Sequence, residues 1–151
     1  MSKPLVVRNP EFATLVRESF SRQAMMTSLG ARLTRVEPGR VHVAFSRSDH
    51  FTQQNGFLHA GALASVADSA CGYAAFTLAP VATDVLAVEF KINLLAPARA
   101  PEFEARARVV RSGRTLSTCI AEVFAVQNGD EELVAMMTST IITRPKGPDA
   151  G

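Results

Sequence analysis

Gln53-Gln54-Asn55-Gly56-Phe57-Leu58-His59-Ala60-Gly61-Ala62-Leu63 runs into Ala64-Ser65-Val66-Ala67-Asp68-Ser69-Ala70-Cys71-Gly72, and this stretch decides the fold. Its front half is a polar loop marked by glycine. Its back half is helix-forming: eight of the twenty residues from Ala60 to Ala79 are alanine, the best helix former. Apolar residues fall on every side of that segment. The helix, expected over Ala60 to Leu78, is therefore buried rather than laid on a surface. Its small side chains let a sheet approach closely.

The flanks read as that sheet. Upstream, Ala31 to Val36 and Arg40 to Phe45 alternate around the turn Glu37-Pro38-Gly39, which predicts a hairpin. Val41, Val43 and Phe45 share one face; His42, Ala44 and Ser46 share the other. Downstream, Val88, Phe90, Ile92 and Leu94 alternate with Glu89, Lys91 and Asn93. Phe103 to Val109 alternates again, Ser112-Gly113 turns the chain, and Leu116 to Val126 is a long apolar strand. Asn128-Gly129 is a hairpin signal before a last strand, Leu133 to Thr143. Near the N-terminus, Asn9-Pro10 opens a predicted amphipathic helix that runs to about Met26. Its apolar face is Phe12, Leu15, Val16 and Phe20. Residues 1–8 and 145–151 read as loose tails, and residues 1–151 as one domain.

Composition narrows the function classes. Hydrophobic residues make up 47% of the 151 and charged residues 20%, enough for a real core. A net charge of +2 is too weak a bias to argue for nucleic acid or a membrane surface as partner. No stretch approaches the length of a signal peptide or a membrane helix, so a cytoplasmic protein is expected. Cys71 and Cys119 sit in apolar runs and read as buried thiols in a reducing compartment. Met136 and Met137 read as core, and His42 and His50 as exposed bystanders.

Only one formally charged side chain, Asp68, falls in the 33 residues from Phe51 to Thr83; at 20% about six or seven would be expected. A carboxylate in an alanine-rich buried helix is costly unless it is paired, hydrogen-bonded or useful. Burial raises its pKa, which suits a general base or a nucleophile. The plain alternative is an Asp bonded to backbone or serine. The preceding loop weighs on the choice. Gln53, Asn55, Gly56, His59 and Gly61 crowd a helix start, where backbone N–H groups lack internal partners and the dipole favours negative charge. Such a place can hold a developing oxyanion. Yet Asp68 lies roughly 12 Å along the helix axis from His59. One chain's helix start and its own Asp are too far apart to act on one carbonyl. Two antiparallel copies of the helix would bring them together across a two-fold dimer.

The run from Gln53 to Gly72 resembles the signature of the PaaI-like hotdog-fold thioesterases. In that family an Asn or Gln stands six residues before a His-Gly-Gly step, and an Asp or Glu nine after the His; Gln53, His59 and Asp68 keep both spacings. Val88 to Pro97 is similar to the family's third strand, and Arg111-Ser112-Gly113-Arg114 to its following turn. The resemblance spans about Gly30 to Thr143. It implies an α+β hotdog fold, a roughly six-stranded antiparallel sheet wrapped around the long central helix. It also implies homodimers, often homotetramers, and hydrolysis of an acyl-CoA substrate without metal or redox cofactor. On that resemblance Asp68 is the base or nucleophile. The Ala60 N–H, helped by His59 and Gly61, polarises the carbonyl, and Gln53 positions the carbonyl or the water. Asn55, Tyr73, Arg111, Gly113 and Arg114 are candidate substrate contacts. Arg111 and Arg114 flank a tight turn, which either meets CoA phosphates or is simply solvated. Tyr73, Phe76 and Leu78 either line an acyl pocket or pack in the core or a dimer contact.

Two positions depart from the family pattern. Ala60 stands where glycine is usual, and it keeps the N–H donor unless the backbone there needs a positive φ. Ala87 stands where many relatives carry a Ser or Thr; either the enzyme does without that hydroxyl, or Ser65, Ser69 or a water replaces it. A hotdog hydratase or dehydratase, and a non-catalytic acyl-CoA binding module, are the competing functions. Asp68 argues against the second.

Overall fold

The computed structural model describes residues 5–147. Among the described residues three α-helices and six strands follow in chain order, with one 3-10 turn at Asp49–Phe51: α1 (Phe12–Ser21), α2 (Ala24–Ser28), β1 (Arg32–Glu37), β2 (Arg40–Ser46), α3 (Ala60–Phe76), β3 (Thr83–Leu94), β4 (Glu102–Ser112), β5 (Leu116–Gln127) and β6 (Asp130–Pro145). The strands form one antiparallel sheet in the order β1-β2-β4-β5-β6-β3. Helix α3 packs against β2, β3, β4, β5 and β6, so the sheet wraps it as the resemblance implies.

The core shows why alanine dominates α3. Ala67, Ala70 and Ala74 are fully buried, and they face strands that also carry alanine, at Ala105, Ala107 and Ala121. Small side chains on both surfaces bring helix and sheet close, which multiplies weak dispersion contacts. Larger residues close the ends. Phe45 and Phe103 are cross-strand partners with rings stacked 5.5 Å apart. Val41, Val43 and Phe45 are buried as the alternation requires, and so are Phe103, Ala105, Ala107 and Val109. Asn128 and Gly129 both have positive φ, 54° and 87°, which gives the β5–β6 hairpin its tight turn.

The N-terminal helix is shorter than its periodicity predicts. It ends at Ser21, and α2 starts afresh at Ala24. On an unbroken helix Met26 would point about 240° away from Phe20, off the core. The extended backbone at Gln23 re-aims the chain and buries Met26. Asn9 closes the turn before α1, accepting from the Glu11 N–H at 3.0 Å, rather than serving as the N-cap itself. The central helix stops at Phe76, two residues before the expected end, and the last strand runs on through Pro145. Of the residues expected to be loose tails, Leu5 lies against the Gly39 turn. Residues 1–4 and 148–151 lie outside those described. Met137 is core, but Met136 points outward and is 36% exposed; His42 is half-buried, and burial lowers its pKa.

Strand β3 stands at the sheet edge with its apolar side chains uncovered. Leu86, Val88, Phe90 and Leu94 are each about half exposed, at 49%, 52%, 46% and 54%. The opposite edge, β1, is half as long and carries Arg32, Arg35 and Glu37. Charge protects an edge strand from pairing; a long apolar edge invites it.

Candidate active site

The loop before α3 is pinned at its end: the Leu58 N–H donates to the Ala98 carbonyl at 2.8 Å, and the His59 N–H donates to the Phe51 carbonyl at 2.7 Å. His59 is the N-cap of α3. Its Nδ1 accepts from the Gly61 N–H at 2.8 Å. A backbone N–H can only donate, so Nδ1 carries no proton and the neutral ring presents Nε2–H as a donor. A Cβ on Gly61 would sit 2.9 Å from Nδ1, so glycine is what lets the ring fold over the helix start. The Gly61 N–H is thereby committed within the chain. Among the described residues the Ala60 N–H has no acceptor, and it remains free for a ligand. Ala60 lies at a negative φ, so the departure from glycine costs no strain.

The Gln53 side-chain carbonyl accepts from the Asn55 N–H, which leaves its NH₂ group as the available donor. Gln53, Ala60 and Leu63 line a cleft of about 440 Å³ with Phe57, Leu94 and Leu95. Asn55 is exposed in the loop and is not among the lining residues. Two cations that the sequence reading passed over flank this loop. The Arg99 guanidinium lies 4.0 Å above the Phe57 ring, and Arg47 donates to the Gly56 carbonyl at 3.0 Å.

Asp68 lines a different cleft, of about 320 Å³, on the other half of α3. Its Oδ1 is buried without a hydrogen-bond partner, and burial pushes its pKa above the ordinary carboxyl value. The alternative of an Asp held by serine or backbone therefore fails for that oxygen. Ser65 gives its hydroxyl to the Gly61 carbonyl at 2.7 Å, and Ser69 gives its own to Gln23 Oε1 at 2.9 Å. Of the serines that could replace the hydroxyl absent at Ala87, only Ser69 lines the Asp68 cleft. Tyr73 and Phe76 line it too, with the Tyr73 hydroxyl 3.2 Å from Ser19 Oγ and the Phe20 ring 5.7 Å from the Tyr73 ring. Leu78 is fully buried elsewhere. Gln23, Ser19, Asp84 and Arg144 belong to this wall and were missed, because α1 and the β3–β6 register bring them there across long stretches of chain. Arg111 stands at the end of β4, paired with Thr118, and Gly113 and Arg114 sit in the β4–β5 turn; all three are outside both clefts. That turn lies at the sheet end where β3 begins, since Leu116 and Leu86 both pair with Ile142. Among the described residues no three His, Cys, Asp or Glu side chains gather at metal-ligand spacing.

Residues 55–132 match the family model described as the Thioesterase superfamily. The chain belongs to that family. A thioesterase family protein from Silicibacter pomeroyi is 47% identical, over 89% of this chain and 98% of its own, with a TM-score of 0.87. The phenylacetic acid degradation protein PaaI of Thermus thermophilus is 30% identical, over 80% of this chain and 98% of its own, with a TM-score of 0.70. A Saccharolobus solfataricus protein whose name includes the word esterase is 29% identical over 125 residues, 83% of this chain and 81% of that protein. The fold is thus the hotdog fold of PaaI-like thioesterases, and the general chemistry is thioester hydrolysis. No helix among the described residues is long and apolar enough to cross a membrane.

Proposed function

We propose that this thioesterase hydrolyses acyl-CoA at sites shared by two protomers in a cytoplasmic homodimer, with two dimers forming a homotetramer. One observation carries the reading. The two half-sites lie in separate clefts that border opposite ends of one uncovered edge strand. The Asp68 cleft meets β3 at Asp84 to Ala87, and the Gln53–Ala60 cleft meets its end at Leu94 and Leu95. Antiparallel pairing of β3 with its own copy, about a two-fold axis through mid-strand, sets the start of one strand beside the end of the other. It covers Leu86, Phe90 and Leu94, and joins each Asp68 cleft to the partner's Gln53–Ala60 cleft.

In the joined site the thioester carbonyl oxygen accepts from the free Ala60 N–H, with the Gln53 NH₂ and His59 Nε2–H as further donors at the same helix start. Asp68, from the other protomer, removes a proton from water. The resulting hydroxide attacks the carbonyl carbon, and negative charge collects on the oxygen held at Ala60. Collapse breaks the C–S bond, and the Asp68 proton passes to the leaving CoA sulfur. The products are the free acid and CoA thiol. Direct attack by the Asp68 carboxylate would instead place solvent ¹⁸O in Asp68 during multiple turnovers. Arg111 and Arg114, at the turn beside the start of β3, and Arg99, beside the other cleft, are the cations available to CoA phosphates.

The test is CoA-thiol release from a panel of acyl-CoAs by wild type and Asp68→Asn, which keeps shape and removes the base. The expected loss is about 10²–10⁴-fold in kcat. Equal rates would remove Asp68 from the mechanism. Tight acyl-CoA binding without release by wild type would establish a binding module instead.

A further inference from the structure

Gly72 stands inside α3 with open space beside it: a Cβ built there meets no atom within 4 Å beyond its chain neighbours and its own turns of helix backbone. Glycine inside a helix is less stable than alanine. Where α3 packs on its surroundings it uses alanine, at Ala62, Ala67, Ala70, Ala74 and Ala75. Within one chain neither a turn nor a close approach explains the glycine, in contrast to Gly61, where the missing Cβ admits the His59 ring. Gly72 comes one helical turn after Asp68, on the same side of the helix, and both line one cleft. The missing side chain is therefore missing toward that open cleft. The same cleft is lined by Val85 and Ala87 of β3, by Ser19 of α1 and by Gln23 of the α1–α2 break.

We propose that Gly72 forms the floor of the acyl subsite and sets the width of the acyl group, so that the enzyme takes acyl groups carrying a branch or ring close to the carbonyl. The inference rests on the reading of Asp68 as the group beside the thioester. Four residues of helix span about 6 Å. An acyl group whose carbonyl lies near Asp68 thus passes over Gly72 with its first few carbons. Bulk at those carbons needs the space that any side chain at 72 would take, whereas a straight chain needs less of it. The small Ala87 on the facing strand widens the same place.

The test compares wild type with Gly72→Ala and Gly72→Val on butyryl- and hexanoyl-CoA against isobutyryl-, benzoyl- and phenylacetyl-CoA. The ratio of kcat/KM for branched or ring-bearing substrates to that for straight-chain ones should fall about tenfold in Gly72→Ala and further in Gly72→Val. Gly72→Ala should also raise Tm. An unchanged ratio, or a lowered Tm in Gly72→Ala, would overturn the proposal by showing a structural glycine. Dissociation constants for the matching non-hydrolysable thioether analogues read the same ratio without turnover. A wrong role for Asp68 would then appear in the Asp68→Asn rates and leave the width test intact.

Discussion

The His59 Nδ1 accepts the Gly61 N–H at 2.8 Å across a gap that no Cβ could share. One hydrogen bond thus fixes the tautomer of the ring, leaves Nε2–H as its remaining donor and leaves the Ala60 N–H as the free donor of the helix start. Gly61→Ala should expel the ring while leaving the helix, whose propensity alanine favours. The expected loss is about 10²-fold in kcat, the scale of an ångström-size misplacement. Far-UV circular dichroism should be unchanged. His59→Ala in the Gly61→Ala background should add little further loss, and full additivity of the two would uncouple the residues.

Asp68 ties stability to function through its titration. Its pKa is raised by burial in the fold, so between the ordinary value of 3.8 and that raised value the folded chain holds a proton the unfolded chain has lost. Stability from this group is present at low pH and is lost as pH rises through that window. Asp68→Asn, neutral at every pH, should therefore raise Tm near neutral pH, and the advantage should shrink as pH falls toward 3.8. The hydrolysis rate should move the other way, rising with pH along a limb whose apparent pKa lies above the ordinary carboxyl range. Equal Tm at pH 7 for wild type and Asp68→Asn would show that the buried charge carries no cost.

Local signals in the sequence carried most of this architecture. Alanine content marked α3, and the alternation of Val41 to Phe45 and of Phe103 to Val109 assigned their inward faces correctly. The lone charge at Asp68 and the helix start at Ala60 were separable by helical rise alone, and they do line separate clefts. Long-range placement was not legible in the same way. The pattern of Val88 to Leu94 revealed an apolar face but not that it belongs to an edge strand left uncovered, because strand order depends on the whole topology. Gln23 sits inside what reads as one helix, and its place beside Ser69 depends on a break that serves Met26. Arg144 enters the Asp68 cleft only through the register that pairs it with Asp84. The Gly61 N–H looked available until the fold closed the His59 ring upon it.

The cysteines should be inert. Cys71 and Cys119 are both free and fully buried, and burial pushes the Cys119 thiol up to about 12 and the Cys71 thiol higher still. The thiolate is the reactive form, so neither should react with a thiol reagent at pH 8 in the native protein. Both should react in denaturant. Fast labelling of the native protein would mean that α3 opens from the sheet on the timescale of the assay.

The proposed sharing of the site between protomers makes a prediction that one chain alone could not satisfy. In a heterodimer of Asp68→Asn with Gln53→Ala, one joined site carries both lesions and the other carries none. Each parent homodimer should be impaired, Gln53→Ala by about 10²–10³-fold if its NH₂ group holds the oxyanion. The heterodimer, isolated through two different tags, should regain about half the wild-type kcat, one of its two sites being intact. A site built within one chain would instead leave the heterodimer as impaired as its parents. The pairing itself is open to attack through β3. Phe90→Asp places a charge on the exposed apolar edge at a residue that lines neither cleft and is 46% exposed in the single chain. That variant should fold, sediment as a monomer and release no CoA. A Phe90→Asp protein that sediments as a dimer would place the two-fold contact on another surface. One that sediments as a monomer with full activity would show that each chain completes its own site.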